Sequence, residues 1–362
     1  KKYIDYYGVR CGNKNVIFTN NDTAYETALS LNKKGLNVSV IDIRKNSSSM
    51  VVQSAKENGI KIFWNHTVVD TQGYRRIKSI QIMQLSDDGS NVTGEKINLD
   101  CDCLSLSGGW TPMVHLFTQS GGKLKFRDED QVFLPNTAMS DQISIGACNG
   151  DFKLDDVVYN TITSIKKFLD ITSTSFDDLN IHCPKQNENR NIWLLPNDKP
   201  LGKTRPFLDF QNDSTAKDIK LAMREGFRSI EHVKRYTTTG MGTDQGKLAN
   251  MHALGIISET AGVKMGSLGT TTFRPPYTPL TFGTIVGRGV GTFFDITRKT
   301  PMHEWHVKNK AEFENVGQWK RAWFYPKGNE NMHQAVQRES KAARESAGIL
   351  DASTLGKIDI KG

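Results

Sequence analysis

Between positions 15 and 44, two β-branched runs flank a stretch with helical spacing. The first run, N-V-I-F-T-N-N, covers 15–21, and the second, N-V-S-V-I-D-I-R, covers 37–44. Between them, the apolar positions of D-T-A-Y-E-T-A-L-S-L-N-K-K recur every three or four residues until Gly35. This change of period predicts a β-α-β unit whose second strand ends near Asp42.

Alternating apolar and polar positions predict antiparallel strands between 60 and 100. Their sequences are I-K-I-F-W-N-H-T-V-V-D, R-R-I-K-S-I-Q-I-M-Q and, after a D-D-G-S turn, E-K-I-N-L-D-C-D. A further strand, C-L-S-L-S, leads directly into a G-G-W-T-P turn at 108–112. Glycines at a strand end let the backbone approach a ligand, although empty tight turns use them equally often.

Residues 205–290 contain the helix start and stop signals of a small helical module. The polar run at 213–215 can accept hydrogen bonds from free N–H groups at a helix start, and Gly226 ends that helix. A second helix is predicted from Ser229 and a third over 246–260.

Two less distinctive regions flank this module. Residues 151–204 predict one helix, V-V-Y-N-T-I-T-S-I-K-K-F-L, and then a polar linker across the surface around P-K-Q-N-E-N-R-N. Downstream, His303 and His306 stand at i and i+3, but no third metal ligand is evident, so substrate or packing roles are favoured. The predicted division is a dinucleotide-binding domain at 1–165, a linker at 166–204, the helical module at 205–290 and the beginning of another domain at 291–362.

The first β-α turn departs from the dinucleotide fingerprint G-x-G-x-x-G, whose glycines let the backbone reach a pyrophosphate. Here the turn reads T-N-N-D-T-A at 19–24, and Asp22 as a helix cap would repel a phosphate. Asp42 could bind a ribose diol, but an ordinary acidic residue at a strand end is the favoured interpretation.

Composition narrows the class of protein. A length of 362 residues predicts two or three domains, and the net charge of +8, spread among acidic residues, favours a solvated surface over nucleic-acid binding. No apolar stretch approaches the roughly 20 residues that cross a bilayer, and no signal-peptide pattern is present, so a cytoplasmic location is expected. Five cysteines without a second ligand pair predict reduced thiols. Because the chain starts at Lys1 and stops in an apparent strand, we expect a piece of a longer polypeptide.

The helical module resembles the helical [2Fe-2S] module of bacterioferritin-associated ferredoxin and of several amine-oxidising flavoenzymes. The framework G-M-G-x-x-Q-G is kept, but the four ligand positions are Asp209, Gln211, Asp244 and Ala249. Because thiolates hold such clusters, we predict no metal here and expect these residues to support capping and packing.

The preceding region resembles the flavoproteins and disulfide reductases that have two dinucleotide domains. In that architecture a G-G-x-x-P turn and an A-x-G-D strand close over the cofactor of an outer domain, whose fingerprint is expected before Lys1. The G-G-W-T-P turn matches the first element, and I-S-I-G-A-C-N-G at 143–150 is placed at the strand. Gly146-Ala147 then replace the Gly-Asp pair, a departure that favours an NAD-like occupant over a flavin.

The order of these parts resembles the alpha subunits of heterotetrameric sarcosine oxidases over essentially the whole chain. The specific motifs are D-F-Q-N-D-S-T-A-K-D-I, E-H-V-K-R-Y-T-T, T-T-F-R-P-P-Y-T-P and I-L-D-A-S-T-L-G-K-I. The implied fold class is α/β plus α+β: a disulfide-reductase-like dinucleotide domain, a cluster-free ferredoxin-like helical module and the start of an aminomethyltransferase-like folate domain.

The resemblance also implies a function. In that family the beta subunit carries FAD and a covalent FMN and oxidises sarcosine, while the FMN lies at the interface with the alpha subunit. The alpha subunit binds NAD and tetrahydrofolate, the folate captures the one-carbon unit, and oxygen is reduced to hydrogen peroxide. The implied partners are beta, gamma and delta subunits of a heterotetramer.

Within that resemblance we predict two groups of binding residues and identify no catalytic residue. NAD is expected against Gly108, Gly109, Trp110 and Gly146, and the FMN phosphate against Lys247 and Arg274. Arg274 precedes two prolines, which stiffen the backbone and can hold a guanidinium in position. Most folate-binding residues are expected beyond Gly362.

Several alternatives stay open. The chain could be a structural adaptor of an amine-oxidising complex, or part of an oxidase for dimethylglycine or another secondary amine. A stand-alone NAD(P)H-dependent disulfide-reductase-like enzyme would need a C-x-x-C motif or an intact second glycine fingerprint, and neither is visible.

Overall fold

The computed structural model describes residues 1–171, 181, 183, 189–291 and 294–361. They form two compact units, Lys1–Pro279 and Leu280–Gly362. Within the linker predicted at 166–204, residues 172–180, 182 and 184–188 lie outside the described residues. Across these described ranges, no helix combines the length and the apolar character that spanning a membrane requires.

The first part of the larger unit is built on a parallel sheet. Its elements in chain order are α1 (Lys2–Asp5), β1 (Lys14–Thr19), α2 (Thr23–Lys33), β2 (Asn37–Asp42), α3 (Met50–Glu57), β3 (Lys61–Trp64), β4 (His66–Gly73), β5 (Ile77–Leu85), β6 (Val92–Asp100) and β7 (Cys103–Ser107). The parallel sheet has the order β3-β2-β1-β7, and β4, β5 and β6 form an antiparallel sheet. The predicted β-α-β unit and antiparallel strands are therefore confirmed.

Strands β1 and β2 are apolar on both faces because both faces are covered. Ile17 and Val40 belong to a buried cluster with residues of α2 and α3. Their neighbours Val16 and Ile41 point the other way and pack with Ile80 of β5. The period of two along each strand thus places the parallel sheet between helices and the antiparallel sheet.

The next segment connects this sheet to the helical module. It contains α4 (His115–Gln119), β8 (Lys123–Arg127), β9 (Val132–Thr137), a 3-10 turn (Gly146–Asn149) and α5 (Leu154–Leu169). The strand predicted at 143–150 is wrong, since Gly146–Asn149 is a 3-10 turn and residues 143–145 are not in a strand. Gly146 and Gly150 have φ angles of +71° and +83°, a left-handed conformation that ends extended backbone.

The helical module has a core of its own. Its elements are β10 (Phe207–Asp209), β11 (Ser214–Thr215), α6 (Ala216–Arg224), α7 (Ile230–Thr237), α8 (Asn250–Ala261) and α9 (Met265–Leu268). Thr215 and Asp218 form a capping box that starts α6, and the three predicted helices are confirmed. Helix α8 begins at Asn250 and not at Gly246, because Gln245 and Gly246 have φ angles of +52° and +72°.

The second unit is a small α+β arrangement. It contains α10 (Phe282–Val286), β12 (Arg298–Lys299), α11 (His303–Lys308), β13 (Glu312–Val316), β14 (Trp319–Phe324) and α12 (Met332–Glu345). Strand β14 is central, parallel to β12 and antiparallel to β13. A capping box between Asn331 and Gln334 starts α12.

Candidate functional site

The turn between β1 and α2 is filled by its own side chains. Asn21 Oδ1 accepts from the Thr23 backbone N–H at 3.1 Å, so a side chain takes one of the N–H groups that a nucleotide phosphate would otherwise use. Asn21 Nδ2 donates to the Ser107 carbonyl at the end of β7, at 3.2 Å. Both asparagines of the turn, Asn20 and Asn21, are buried. The side chain of Asn21 therefore takes a hydrogen bond that a glycine-rich turn leaves to a pyrophosphate.

The carboxylate at the end of β2 belongs to a buried ion cluster. Asp42 is fully buried and accepts hydrogen bonds from Tyr25 Oη at 2.9 Å and from Arg44 Nη2 at 2.7 Å. Arg44 Nη1 lies 2.8 Å from Asp22 Oδ1, and Ser47 Oγ donates to the same oxygen of Asp22. Of the two interpretations of Asp42, the structure favours the structural one, because protein groups already surround its oxygens.

The electrostatics of this cluster follow from burial. Burial raises the pKa of the Tyr25 hydroxyl, and the Asp42 carboxylate raises it further. Burial by itself would lower the pKa of Arg44, but the bonds and charges of Asp42 and Asp22 outweigh it and raise that pKa. The guanidinium thus stays charged between two carboxylates.

The G-G-W turn lies beside this filled turn and is open to solvent. Trp110 has an exposed ring, and its Nε1 donates to Thr23 Oγ1 at the start of α2, at 3.0 Å. Gly109 has a φ of +108°, a conformation that side-chain-bearing residues rarely adopt. A Cβ on Gly108 would lie 3.9 Å from Cε1 of His252 on α8. This turn therefore lies between the parallel sheet and the helical module.

Gly146 has different neighbours. A Cβ placed there would lie 3.6 Å from Cγ1 of Val157 on α5. The carbonyl of Gly146 accepts from the backbone N–H of Asp151 at 3.2 Å. Gly146 thus packs at the start of α5, whereas Gly108, Gly109 and Trp110 are consecutive in the turn near α2.

Asp151 is a candidate that the sequence analysis missed. Its Oδ1 accepts from Asn160 Nδ2 at 2.9 Å, but its Oδ2 is buried without a hydrogen-bond partner. Gly150-Asp151 is itself a Gly-Asp pair, the signal that was assigned to Gly146-Ala147. The Gly-Asp position was assigned four residues too early because a strand was expected at 143–150. The 3-10 turn at Gly146–Asn149 occupies that place, and the Gly-Asp pair follows the turn. A buried acceptor without a partner suits a ligand hydroxyl.

Lys247 contacts the segment 273–277, which contains Arg274. Lys247 Nζ donates to the Tyr277 carbonyl at 2.7 Å and lies 4.0 Å from the centroid of that ring. The Tyr277 ring is also stacked on His115 at 4.2 Å and meets the Phe273 ring edge-on at 5.1 Å. Lys247 is nevertheless exposed, as is Arg274, so both cations can face a ligand or a partner.

A second lysine lies close to Arg274. Burial lowers the pKa of the Lys234 ammonium, and the charges of Arg274 and Arg235 lower it further, against the opposing effect of Glu231. Cations in such proximity repel one another, so an anion placed among them would be stabilised.

Of the four positions that correspond to cluster ligands, Asp209, Gln211 and Asp244 are joined by hydrogen bonds, and Ala249 is buried. Asp209 is buried and accepts from the backbone N–H groups of Gln211 at 2.8 Å and Gly240 at 2.7 Å. Gln211 Oε1 accepts from the Asp244 N–H at 3.2 Å, and Ala249 is fully buried just before α8. Burial by itself would raise the pKa of Asp209, yet the N–H groups around it hold that pKa below its usual value. Iron content remains a prediction.

In the second unit, His306 is held by two protein groups. Its Nδ1 is hydrogen-bonded to Tyr325 Oη at 2.5 Å and its Nε2 to Asp351 Oδ2 at 2.9 Å. His303 is buried and its ring lies 4.8 Å from that of Phe313. Both histidines therefore pack within the unit, and no group of three or more metal-ligating side chains occurs among the described residues.

Comparison with known proteins agrees with the order of modules. Residues 203–288 match the family model of the sarcosine oxidase A3 domain, and residues 302–362 match that of the GCVT N-terminal domain. The chain is 36% identical over 378 aligned residues to sarcosine oxidase subunit alpha of Corynebacterium sp. (strain P-1), covering all of this chain and 38% of that protein. It is 34% identical to the same subunit of Rhizobium meliloti (strain 1021), covering all of this chain and 36% of that protein.

Among solved structures, L-proline dehydrogenase from P. horikoshii is similar at 17% identity with a TM-score of 0.46, covering 79% of this chain and 52% of that one. The chain spans well under half the length of the curated relatives it matches. Its fold is the expected combination of a dinucleotide-type α/β part, a helical module and a GCVT-type α+β part. The predicted resemblance is confirmed, and over its whole length this chain is homologous to a stretch of the sarcosine oxidase alpha subunits.

Proposed function

We propose that this chain is part of the alpha subunit of an enzyme that oxidatively demethylates sarcosine. Sarcosine, oxygen and tetrahydrofolate would give glycine, 5,10-methylenetetrahydrofolate and hydrogen peroxide, a set in which atoms and electrons balance. The observation that carries the proposal is the similarity at 34 to 36% identity over the entire chain. The expected location is the cytoplasm.

In this proposal the oxidation takes place on a beta subunit that holds FAD and the covalent FMN, with gamma and delta subunits completing a heterotetramer. The present chain supplies an NAD site, a surface toward the FMN and the first part of a folate-binding domain. The match of residues 302–362 to the GCVT N-terminal domain supports the last assignment.

For NAD, we propose the G-G-W turn with Gly146, and we add Asp151. Gly109 can bring backbone close to a ligand, the Trp110 ring is exposed, and the buried Oδ2 of Asp151 suits a ribose hydroxyl. For the FMN phosphate we propose Arg274 and Lys247, because an anion would relieve the repulsion among the cations near Arg274.

The activity is tested on the full-length protein assembled with its flavin-containing partner. Sarcosine should yield glycine, peroxide and methylenetetrahydrofolate in equal amounts when folate is present. Co-purification without turnover of sarcosine, dimethylglycine or another secondary amine would favour the adaptor alternative. Faster turnover of dimethylglycine than of sarcosine would identify the related oxidase.

The NAD site has its own test. We expect Asp151→Ala to weaken NAD binding about tenfold, the effect of losing one bond to a charged acceptor. Asp156→Ala, an exposed change at the start of α5, serves as the control. A crystal structure of the complex with NAD far from the G-G-W turn and Asp151 would refute the assignment.

A further inference from the structure

Residues 190–199, which we call the strap, begin at the carboxyl edge of the parallel sheet. Arg190 Nη1 donates to the Ile43 carbonyl and to Asn65 Oδ1, both at 2.7 Å. Ile43 directly follows β2 and Asn65 directly follows β3. One guanidinium therefore joins the ends of two adjacent parallel strands.

The same residue is fixed by two further elements. Asn20, in the turn after β1, donates through Nδ2 to the Arg190 carbonyl at 3.0 Å. Arg190 Nη2 lies 3.3 Å from the Asp87 carbonyl, in the hairpin turn between β5 and β6. A Cβ on Gly89 would come within 2.7 Å of that Nη2 atom, so the hairpin is shaped to fit the strap.

The strap then crosses the antiparallel sheet and reaches the helical module. Asn197 Nδ2 donates to the Val69 carbonyl at 2.7 Å, and Lys199 Nζ lies 2.6 Å from Asp70 Oδ2. Trp193 packs against the backbone of Gly255 in α8, where a Cβ would lie 2.1 Å from its Cγ. The strap thus ties the helical module to the sheet.

We propose that the strap is a built-in occupant of the crevice at the carboxyl ends of β1, β2 and β3, and that this crevice takes no dinucleotide. In open α/β sheets, dinucleotides bind outside the carboxyl ends of the strands, where the strand order reverses. Here that edge holds Arg190 and the side chains of Asn20 and Asn21. Hydrogen bonds from the strap, and not from a bound ligand, therefore hold the ends of these strands in place.

This inference deepens the proposed function, on which it rests for one point only. The NAD of that proposal binds at the G-G-W turn, which follows β7 at the same edge of the sheet, and not in the crevice at the ends of β1, β2 and β3. The contacts of the strap do not depend on that proposal. The two can therefore fail separately.

Hydrogen exchange of the full-length protein tests the strap directly. We expect Arg190→Ala to speed exchange about tenfold at the backbone amides of Asn65 and Leu85. The variant loses the hydrogen bond from Arg190 to Asn65, and the loss of one such bond corresponds to a factor of roughly ten in the opening equilibrium. Arg205→Ala, an exposed change beyond the strap, should leave both amides unchanged. Equal exchange in Arg190→Ala and the unmodified protein would overturn the proposal.

NAD titration of the assembled protein tests the location. Arg190→Ala should change the Kd for NAD by less than about twofold, whereas Gly109→Val should raise it at least about tenfold. A tenfold weakening by Arg190→Ala would overturn the inference, because it would place NAD in the crevice. If the assembled protein binds no NAD, the nucleotide part of the proposed function fails, and the exchange result still decides whether the strap holds the strand ends.

Discussion

At the scale of single residues, the clearest departure from a dinucleotide site is a buried ion cluster. Asp22 occupies the start of α2, where a phosphate would bind, and Asp42 occupies the ribose position, yet both face Arg44. Charges buried this deeply are stable only when paired and hydrogen-bonded. The sequence showed the two carboxylates, but the pairing with Arg44 was missed, because its direction depends on the packing of the segment after β2.

We expect Arg44→Met to lower the free energy of unfolding by about 3–5 kcal/mol, the cost of leaving buried charges unpaired. Urea denaturation measures the change. Lys45→Met removes a neighbouring cation whose pair with Asp87 is exposed, and such a pair contributes about 0–1 kcal/mol. Similar losses in the two variants would show that the cluster has no special role.

At the scale of elements, the loops that precede helices explain which predictions succeeded. Helices α6 and α7 start where they were predicted to start. At α6 the start is fixed by a local interaction, the capping box of Thr215 and Asp218. Helix α8 starts late and the strand expected before Gly146 is missing, because left-handed residues interrupt the backbone. Such residues are hard to locate from sequence when, like Gln245, they are not glycine.

The loop around Asp209 should be stable without metal. Asp209→Ala would leave the buried N–H of Gly240 unpaired, and we expect a loss of about 1–3 kcal/mol in the free energy of unfolding. Treatment of the unmodified protein with an iron chelator should leave the thermal midpoint unchanged. Lys220→Ala, an exposed change on α6, is the control. Iron and sulfide near one equivalent in protein purified without oxygen would contradict the metal-free interpretation.

The segment after α12 should loosen in acid. Hydrogen bonds from Ser353, followed by that from His306, hold the pKa of Asp351 far below its usual range. A depressed folded-state pKa means that the stabilisation is complete above the unfolded value of about 4 and is lost as the pH falls below it. Hydrogen exchange of peptides covering 346–357 should therefore rise below about pH 4. Asp351→Asn should remove this dependence, and Asp359→Asn should keep it; identical profiles would exclude Asp351 as the cause.

At the scale of the whole molecule, the order of modules was readable from sequence because each module has local signals: periodicity, caps and specific motifs. Contacts between segments that are distant in the sequence could not be predicted in this way. Arg190 was assigned to a surface linker, yet it bonds to Asn65, 125 positions away. Asp151 was missed because a strand was predicted where the structure has the 3-10 turn Gly146–Asn149. Thus the sequence predicted which parts are present, and the structure shows which distant side chains contact one another.

Assembly with the flavin-containing partner provides the test of Arg274. Because Arg274 is exposed and its charge adds to that of Lys234, its removal should spare the fold and weaken the contact with a phosphate. We expect Arg274→Ala to reduce affinity for the partner, or retained FMN, about tenfold to a hundredfold, the range for a charge-assisted hydrogen bond. Arg274→Lys should recover only part of the loss, since lysine keeps the charge but not the two-pronged geometry. Arg224→Ala, exposed on α6, should change neither quantity. Unchanged flavin content and assembly in Arg274→Ala would show that this arginine does not contact the FMN phosphate.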